Sequence, residues 1–256
     1  MRILFLAFTF FILYSCGGVN IFTVEDDIAL GQQLRDELLS SGDYKILPRE
    51  QHAEAYEYLD GIRDRILNSG KVEHRGDFAW EVYIVEDDSV LNAFCTPGGY
   101  IFIFTGLIRY LDSEDQLAGV LGHEIAHADK RHSTQQMTKA YGLRLLIEII
   151  VGENQNALTD IAEGLIGLGF SRSHEEDADE MSVEYLCATD YNADGSSVFF
   201  EKLVNDHKAE GTVTFLSTHP DPGNRVQKIR DKENELGCGD GKTYASEYEK
   251  FKALFP

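Results

Sequence analysis

Apolar residues recur at helical spacing from Val24 to Leu39, behind a Thr23 that can cap the segment. A second helical pattern runs from Arg49 to Leu67 and stops at Asn68-Ser69-Gly70. The period then changes. Trp80 to Val85 and Tyr100 to Phe104 are dense in β-branched and aromatic residues and predict strands. Between them, Leu91-Asn92-Ala93-Phe94 adds a short edge strand, and Pro97-Gly98-Gly99 makes the turn. Helical spacing returns at Ser113, which with Gln116 reads as a capping box. Glu114 and Asp115 fall in that helix's first turn and Lys130, Arg131 and His132 in its last. Two moderately apolar stretches, Tyr141 to Val151 and Ala157 to Phe170, predict a helical hairpin packed over the core. Helices follow over Ser171–Leu186, Ser197–Ala209 and Thr243–Phe255. Another opens at Asp221-Pro222 and ends at Gly237. The pattern predicts an α+β fold, mostly helical, with one small β-sheet.

A chain of 256 residues with 43% apolar and 11% aromatic residues can bury one good core. The net charge of −21 argues against nucleic acid and against a polybasic membrane surface. Met1-Arg2 followed by the apolar run Ile3 to Tyr14 is too short to span a bilayer and suits a signal peptide. The run ends at Leu13-Tyr14-Ser15-Cys16, which resembles a bacterial lipobox with Cys16 as the lipidated residue. The competing reading is an ordinary secretory signal cut near Ser15. The expected organisation is a signal peptide over 1–15, a tether over 16–23 and one domain over 24–256 with a helical lid at about 141–170. Lipidation would hold the chain at the membrane, facing the periplasm from the outer membrane. Three further cysteines, Cys95, Cys187 and Cys238, allow one disulfide and leave one thiol. No spacing rule chooses the pair.

Chemistry concentrates at His123-Glu124-x-x-His127. Histidines four apart stand on one helix face and can bind one zinc ion, and Glu124 beside them can act as general base. A surface helix with two exposed histidines is the bland alternative. Leu117, Val120, Leu121, Ile125 and Ala126 around the motif argue that the helix is buried. A catalytic zinc wants a third protein ligand. A nearby third histidine is ruled out, because Lys130 and Ser133 occupy the positions that pattern needs. Arg172-x-x-Glu175-x-x-x-Asp179 supplies a carboxylate from a later helix: Glu175 for the metal, and Asp179 to fix a histidine tautomer. Glu176 and Asp177 are alternatives for the ligand. Arg172 either holds a carboxylate behind the ligands or faces water.

Taken in order, Asn92-Ala93-Phe94, Pro97-Gly98-Gly99, Thr105-Gly106-Leu107, the His123 motif, Ser171-Arg172-x-x-Glu175-x-x-Ala178-Asp179 and Ser217-Thr218-His219-Pro220 form a set. The chain from about Val24 to Ile229 resembles zinc metallopeptidases of the HtpX and CaaX prenyl-protease type, among them the soluble periplasmic BepA-like members. The resemblance implies a gluzincin fold whose edge strand borders the metal. It implies His123, His127 and Glu175 as zinc ligands and Glu124 as catalytic base. The chain departs from membrane-embedded members and from those with a helical-repeat domain.

The expected activity is zinc-dependent endoproteolysis in the bacterial envelope, with one zinc per chain. The substrates would be unfolded or extended proteins, paired along Asn92, Ala93 and Phe94. His219 and Arg225 are candidates to stabilise the oxyanion, and His219 has a second candidate role as a latch on the metal. Two rival readings remain: a non-enzymatic zinc-binding envelope lipoprotein, whose metal would be fully ligated, and a zinc hydrolase acting on a non-peptide amide.

Overall fold

The computed structural model describes residues 20–164, 167–206, 212–220 and 224–255. Cys16, with the apolar run before it, and the cap expected at Asp221-Pro222 lie outside the described residues. So do the residues beyond Asp206 in the helix expected over Ser197–Ala209.

Helix α1 (Val24–Ser40) opens on a capping box: Thr23 Oγ1 accepts from Asp26 N at 3.2 Å, and the Asp26 carboxylate accepts from Thr23 N at 2.8 Å. Helix α2 spans Ala53–Leu67. It begins four residues later than the apolar pattern implies, because Pro48 turns the chain and its carbonyl accepts from Gln51 N and His52 N. Strands β1 (Glu81–Val85), β2 (Ala93–Thr96) and β3 (Tyr100–Phe104) form one sheet in the order β1-β3-β2. The β1–β3 pairing is parallel and the β2–β3 pairing antiparallel. β2 is an edge strand shifted two residues C-terminal of the expected one, so Leu91 and Asn92 precede it. Gly98 and Gly99 make the β2–β3 turn with φ of 74° and 84°, the region that favours glycine.

Helices α3 (Thr105–Tyr110) and α4 (Glu114–Asp129) follow. Every residue of α4 is buried, which rules out the surface-helix reading. Ser113 precedes it, but its hydroxyl bonds Asp115 rather than the helix backbone. Gln116 Oε1 instead accepts from Asp112 N at 3.1 Å, so the expected capping box does not form. Nor does α4 run on to His132. Arg131 adopts a left-handed φ of 59°, and its guanidinium reaches the buried Asp27 at 2.5 Å and the carbonyls of Phe22 and Thr23. That clamp ends α4 and starts α5 (His132–Tyr141) in a new direction.

The hairpin follows as α6 (Leu143–Ile150) and α7 (Gln155–Gly164), both packed on α1. Ser171 then caps α8 (Arg172–Cys187). The chain closes with α9 (Gly195–Asn205), α10 (Thr212–Thr218), α11 (Arg225–Leu236) and α12 (Ala245–Lys252). One core lies between α2, α4, α8, α9 and one face of the sheet. The other lies between α1, α6, α7 and the opposite face. Among the described residues, no helix is long and apolar enough to cross a membrane.

The approach of α8 and α9 to α4 depends on two glycines. A Cβ at Gly119 would lie 2.6 Å from Ser196 N, and one at Gly122 would lie 2.7 Å from Ser182 Oγ. Ser182 Oγ in turn donates to the Gly119 carbonyl at 2.9 Å. A disulfide joins Cys187 at the end of α8 to Cys238 just beyond α11, and Cys95 is a buried free thiol. The bridge closes a 51-residue separation and ties α11 beside α8.

Candidate metal centre

Two helices supply the polar groups at the centre. On α4, His123 and His127 sit one turn apart, so both rings leave the same face. On α8, Glu175 and Asp179 repeat that spacing toward α4. A loop histidine, His219, joins them just after α10. Ligand atoms of His123, His127, Glu175 and His219 all lie within 4.8 Å of one another, and the four side chains are buried. His123 Nε2 lies 2.9 Å from His127 Nε2, 3.3 Å from His219 Nδ1 and 3.4 Å from Glu175 Oε2. Glu175 Oε1 lies 3.3 Å from His127 Nε2 and 3.2 Å from His219 Nδ1. Donors held tetrahedrally about 2.0–2.2 Å from one ion stand roughly 3.3–3.6 Å apart. The observed spacings approach that set, so the donors fit one small cation.

The surroundings fix each donor's orientation. His123 Nδ1 meets Asp179 Oδ1 at 2.9 Å, which leaves Nε2 for the cluster. His127 Nδ1 meets His132 Nδ1 at 3.0 Å, and Phe170 stacks on the His127 ring at 3.7 Å. His219 Nε2 donates to the Ala93 carbonyl at 3.3 Å, turning Nδ1 inward. The His219 segment is pinned by Phe170 N, which donates to the Thr218 carbonyl at 3.0 Å, and by Thr218 Oγ1, which donates to Asn92 Oδ1 at 3.2 Å.

Arg225, at the start of α11, places Nη2 2.7 Å from Asp179 Oδ1 and 3.1 Å from Glu175 Oε2, with its guanidinium over the Phe200 ring. It stands where Arg172 was a candidate. Arg172 is exposed at the first position of α8. Glu176 bonds Lys228 at 2.6 Å, and Asp177 bonds His132 at 3.1 Å, so neither joins the cluster.

Glu124 has no exposure, and its carboxylate oxygens meet no strong hydrogen-bond donor, only the weakly donating Cys95 thiol. His219 Nε2 lies 3.5 Å from Glu124 Oε1. Burial pushes the Glu124 carboxyl above the usual carboxylate range, against the pull of His219 and His123. Burial also opposes ionisation of Glu175, but His219 and His123 outweigh it and hold that carboxyl well below its ordinary value. His123 is depressed by burial yet raised to about 9 by Glu175 and Asp179. His127 is pushed down by burial and by His123.

Beside the cluster runs the open edge of β2. Phe104 N donates to the Asn92 carbonyl, so the alternation of an antiparallel ladder turns the peptide groups of Ala93 and Cys95 outward. Those two outward carbonyls already have partners, His219 Nε2 and, at 3.4 Å, Ser133 Oγ. Asn92 is fully buried, and its amide nitrogen lacks a partner. The hairpin's helices pack on α1 rather than on the cluster. Among the described residues of this region, Phe170, beyond α7, stacks on the His127 ring.

His132 escaped the sequence reading as a site residue, and Asp177 entered it only as an alternative metal ligand, not as a histidine's partner. The signal was the fifth residue after His127: a turn that reverses direction there can bring His132 back under the ligand, but Arg131's left-handed conformation cannot be seen in composition.

The pattern of peptidase family M48 matches residues 54–233. Mitochondrial metalloendopeptidase OMA1 of Arabidopsis thaliana is 32% identical over 64% of this chain and 33% of its own length. OMA1 of Schizosaccharomyces pombe is 26% identical over 83% of this chain and 62% of its own length. The beta-barrel assembly-enhancing protease of Escherichia coli K12 is 26% identical over 82% of this chain and 45% of its own length. The chain thus spans less than two thirds of each of these relatives. Zinc is the metal on which family M48 depends, and the donor set accommodates one ion.

Arg225 compensates two buried carboxylates. Arg225→Met should therefore destabilise the fold by about 3–5 kcal/mol in denaturant titrations with excess chelator. A loss below about 1 kcal/mol, the level of an exposed pair, would show that it does not.

Proposed function

The chain belongs to peptidase family M48, and from that membership and the geometry of its cluster we propose that it is a zinc-dependent endopeptidase of the bacterial cell envelope that removes unfolded or misassembled proteins. His123, His127 and Glu175 hold the zinc, and Glu124 is the base. The observation that carries the reading is Glu124. A buried carboxylate with no strong hydrogen-bond donor on either oxygen is costly to maintain. Its position next to a metal-ligating histidine gives that cost a use.

When bound, zinc supplies Lewis acidity that polarises a scissile carbonyl and lowers the pKa of a water toward neutrality. Glu124 takes the proton from the attacking water and returns it to the leaving amine. Its raised proton affinity suits the carrying step. Asp179 holds the His123 ring, and Arg225 holds Asp179 and Glu175, so the ligand carboxylate keeps its orientation while protons move. Arg225 acts here as a positioning residue rather than an oxyanion donor, since its guanidinium is engaged behind the ligands.

An extended substrate can add to the β2 edge through the outward peptide groups of Ala93 and Cys95. His219 occupies the Ala93 carbonyl and offers Nδ1 to the cluster, so the same histidine blocks both the edge and the fourth ligand position. We read it as a latch: pairing of a substrate with Ala93 displaces His219 and opens the metal in one event. Of the region 141–170 expected as a lid, the hairpin packs on α1, and Phe170 at its end serves as the cover, its N–H holding the Thr218 carbonyl beside His219. Four protein donors also suit a purely structural zinc, the binding-module alternative. Glu124 favours the enzyme, because a structural site has no use for a buried carboxylate without a strong donor.

The Cys187–Cys238 bridge supports an oxidising compartment, in keeping with an envelope protein. Lipidation at Cys16 would tether the domain at the membrane, where stable anchoring takes two acyl chains.

Glu124→Gln should bind zinc with wild-type stoichiometry and lose about 10²–10⁴-fold of casein hydrolysis. Retained turnover would place the base elsewhere, and lost zinc would make Glu124 a structural group. His219→Ala should raise hydrolysis of unfolded substrates. A fall of about 10²–10³-fold in His219→Ala would make it a transition-state donor instead. Cys16→Ser should move the protein from the membrane to the soluble fraction, and unchanged fractionation would refute the anchor.

A further inference from the structure

We propose that His132 and Asp177 form a hydrogen-bond relay behind His127 that fixes its tautomer and ring angle and thereby sets the affinity of the site for zinc; this rests on His127 being a ligand through Nε2. The chain of contacts is continuous. His127 Nε2 faces the cluster, 2.9 Å from His123 Nε2 and 3.3 Å from Glu175 Oε1. A ring nitrogen that binds a cation keeps its lone pair for it, so the proton of His127 sits on Nδ1. Nδ1 lies 3.0 Å from His132 Nδ1. Only one of these two nitrogens can carry a hydrogen along that line, so His132 Nδ1 accepts. Its own proton then sits on Nε2, 3.1 Å from Asp177 Oδ2, and the carboxylate accepts it. Each atom has one consistent role from ligand to carboxylate.

The relay is built rather than accidental. His132 is buried, is the first residue of α5, and is brought under His127 by the left-handed turn at Arg131 that the Asp27 clamp holds. The ring of His174 stacks on His132 at 4.4 Å and 11°, which fixes its plane. Helix α8 provides Glu175, Asp177 and Asp179 at alternate positions. On a helix the outer two share a face and the middle one points elsewhere, so Asp179 meets α4 while Asp177 meets α5. His123 therefore rests directly on a carboxylate, and His127 rests on one through an intervening imidazole. Asp177 is half-exposed, so the relay ends at the surface.

His132→Phe keeps the ring and removes the acceptor, and His132→Asn restores an acceptor at the position of Nδ1. Chelator competition should show zinc affinity reduced about 10–100-fold in His132→Phe and largely recovered in His132→Asn. Stability in excess chelator, measured in parallel, separates this from loss of fold. In the zinc-loaded wild-type protein, ¹⁵N-histidine NMR should place protons on His127 Nδ1 and His132 Nε2, a readout that needs no variant. Unchanged zinc affinity in a folded His132→Phe, or a His132 proton on Nδ1, overturns the relay. Failure of the underlying ligand assignment would look different: His127→Ala would retain stoichiometric zinc.

Discussion

Several ionisable groups are packed where water does not reach, and the rest of the structure is arranged to keep them compatible. Glu124, Glu175, Asp179, His123, His127, His219 and Arg225 are each at most 5% exposed. Unit charges about 4 Å apart interact by about 4 kcal/mol even at an effective dielectric constant near 20, so a like-charge cluster here could not be held by packing alone. The solution is alternation. Arg225 lies against Asp179 and Glu175, the histidines separate Glu175 from Glu124, and a cation at their meeting point completes the balance.

That balance needs α4 and α8 close together, and the closeness is a backbone matter. Gly119 and Gly122 remove the side chains that would hold α9 and α8 away, and Ser182 fills the gap with a hydrogen bond. The disulfide from the end of α8 to the residue beyond Gly237 then keeps α11, and with it Arg225, in register with α8. The site is thus precise because it is built on three tied helices. Of the four donors, His219 comes from a loop and the others from α4 and α8.

The legible parts of the site were those written at helical spacing. His123 with His127 and Glu175 with Asp179 are pairs four apart, and that spacing puts each pair on one face whatever the rest of the chain does. The mostly helical α+β fold with one small sheet was legible for the same reason, since period and turn residues mark elements directly. What escaped depended on contacts between distant segments. Arg172 sits beside Glu175 in sequence, yet Arg225, 50 residues beyond Glu175 at the start of α11, provides the guanidinium. Ser113 and Gln116 have the spacing of a capping box, but Asp115 and the Asp112 backbone compete for their side chains and win. The break after α4 follows from the Arg131–Asp27 pair, 104 residues apart, which no local window contains.

The edge strand shows why opening and recognition are the same physical problem in this fold. An unpaired strand edge beside a polar pocket invites association with any extended chain. Here the two outward carbonyls of β2 are already satisfied, one by Ser133 from α5 and one by His219. A segment that pairs with β2 must replace those hydrogen bonds, and the main chain can do so at little net cost, because one donor substitutes for another. A folded protein cannot offer a free strand without first unfolding it. If the substrates are the extended chains proposed above, their selection does not require a side-chain pocket. It would follow from an edge whose blocking groups are exchanged for main-chain donors in strand geometry, an exchange that would free the histidine at the cluster.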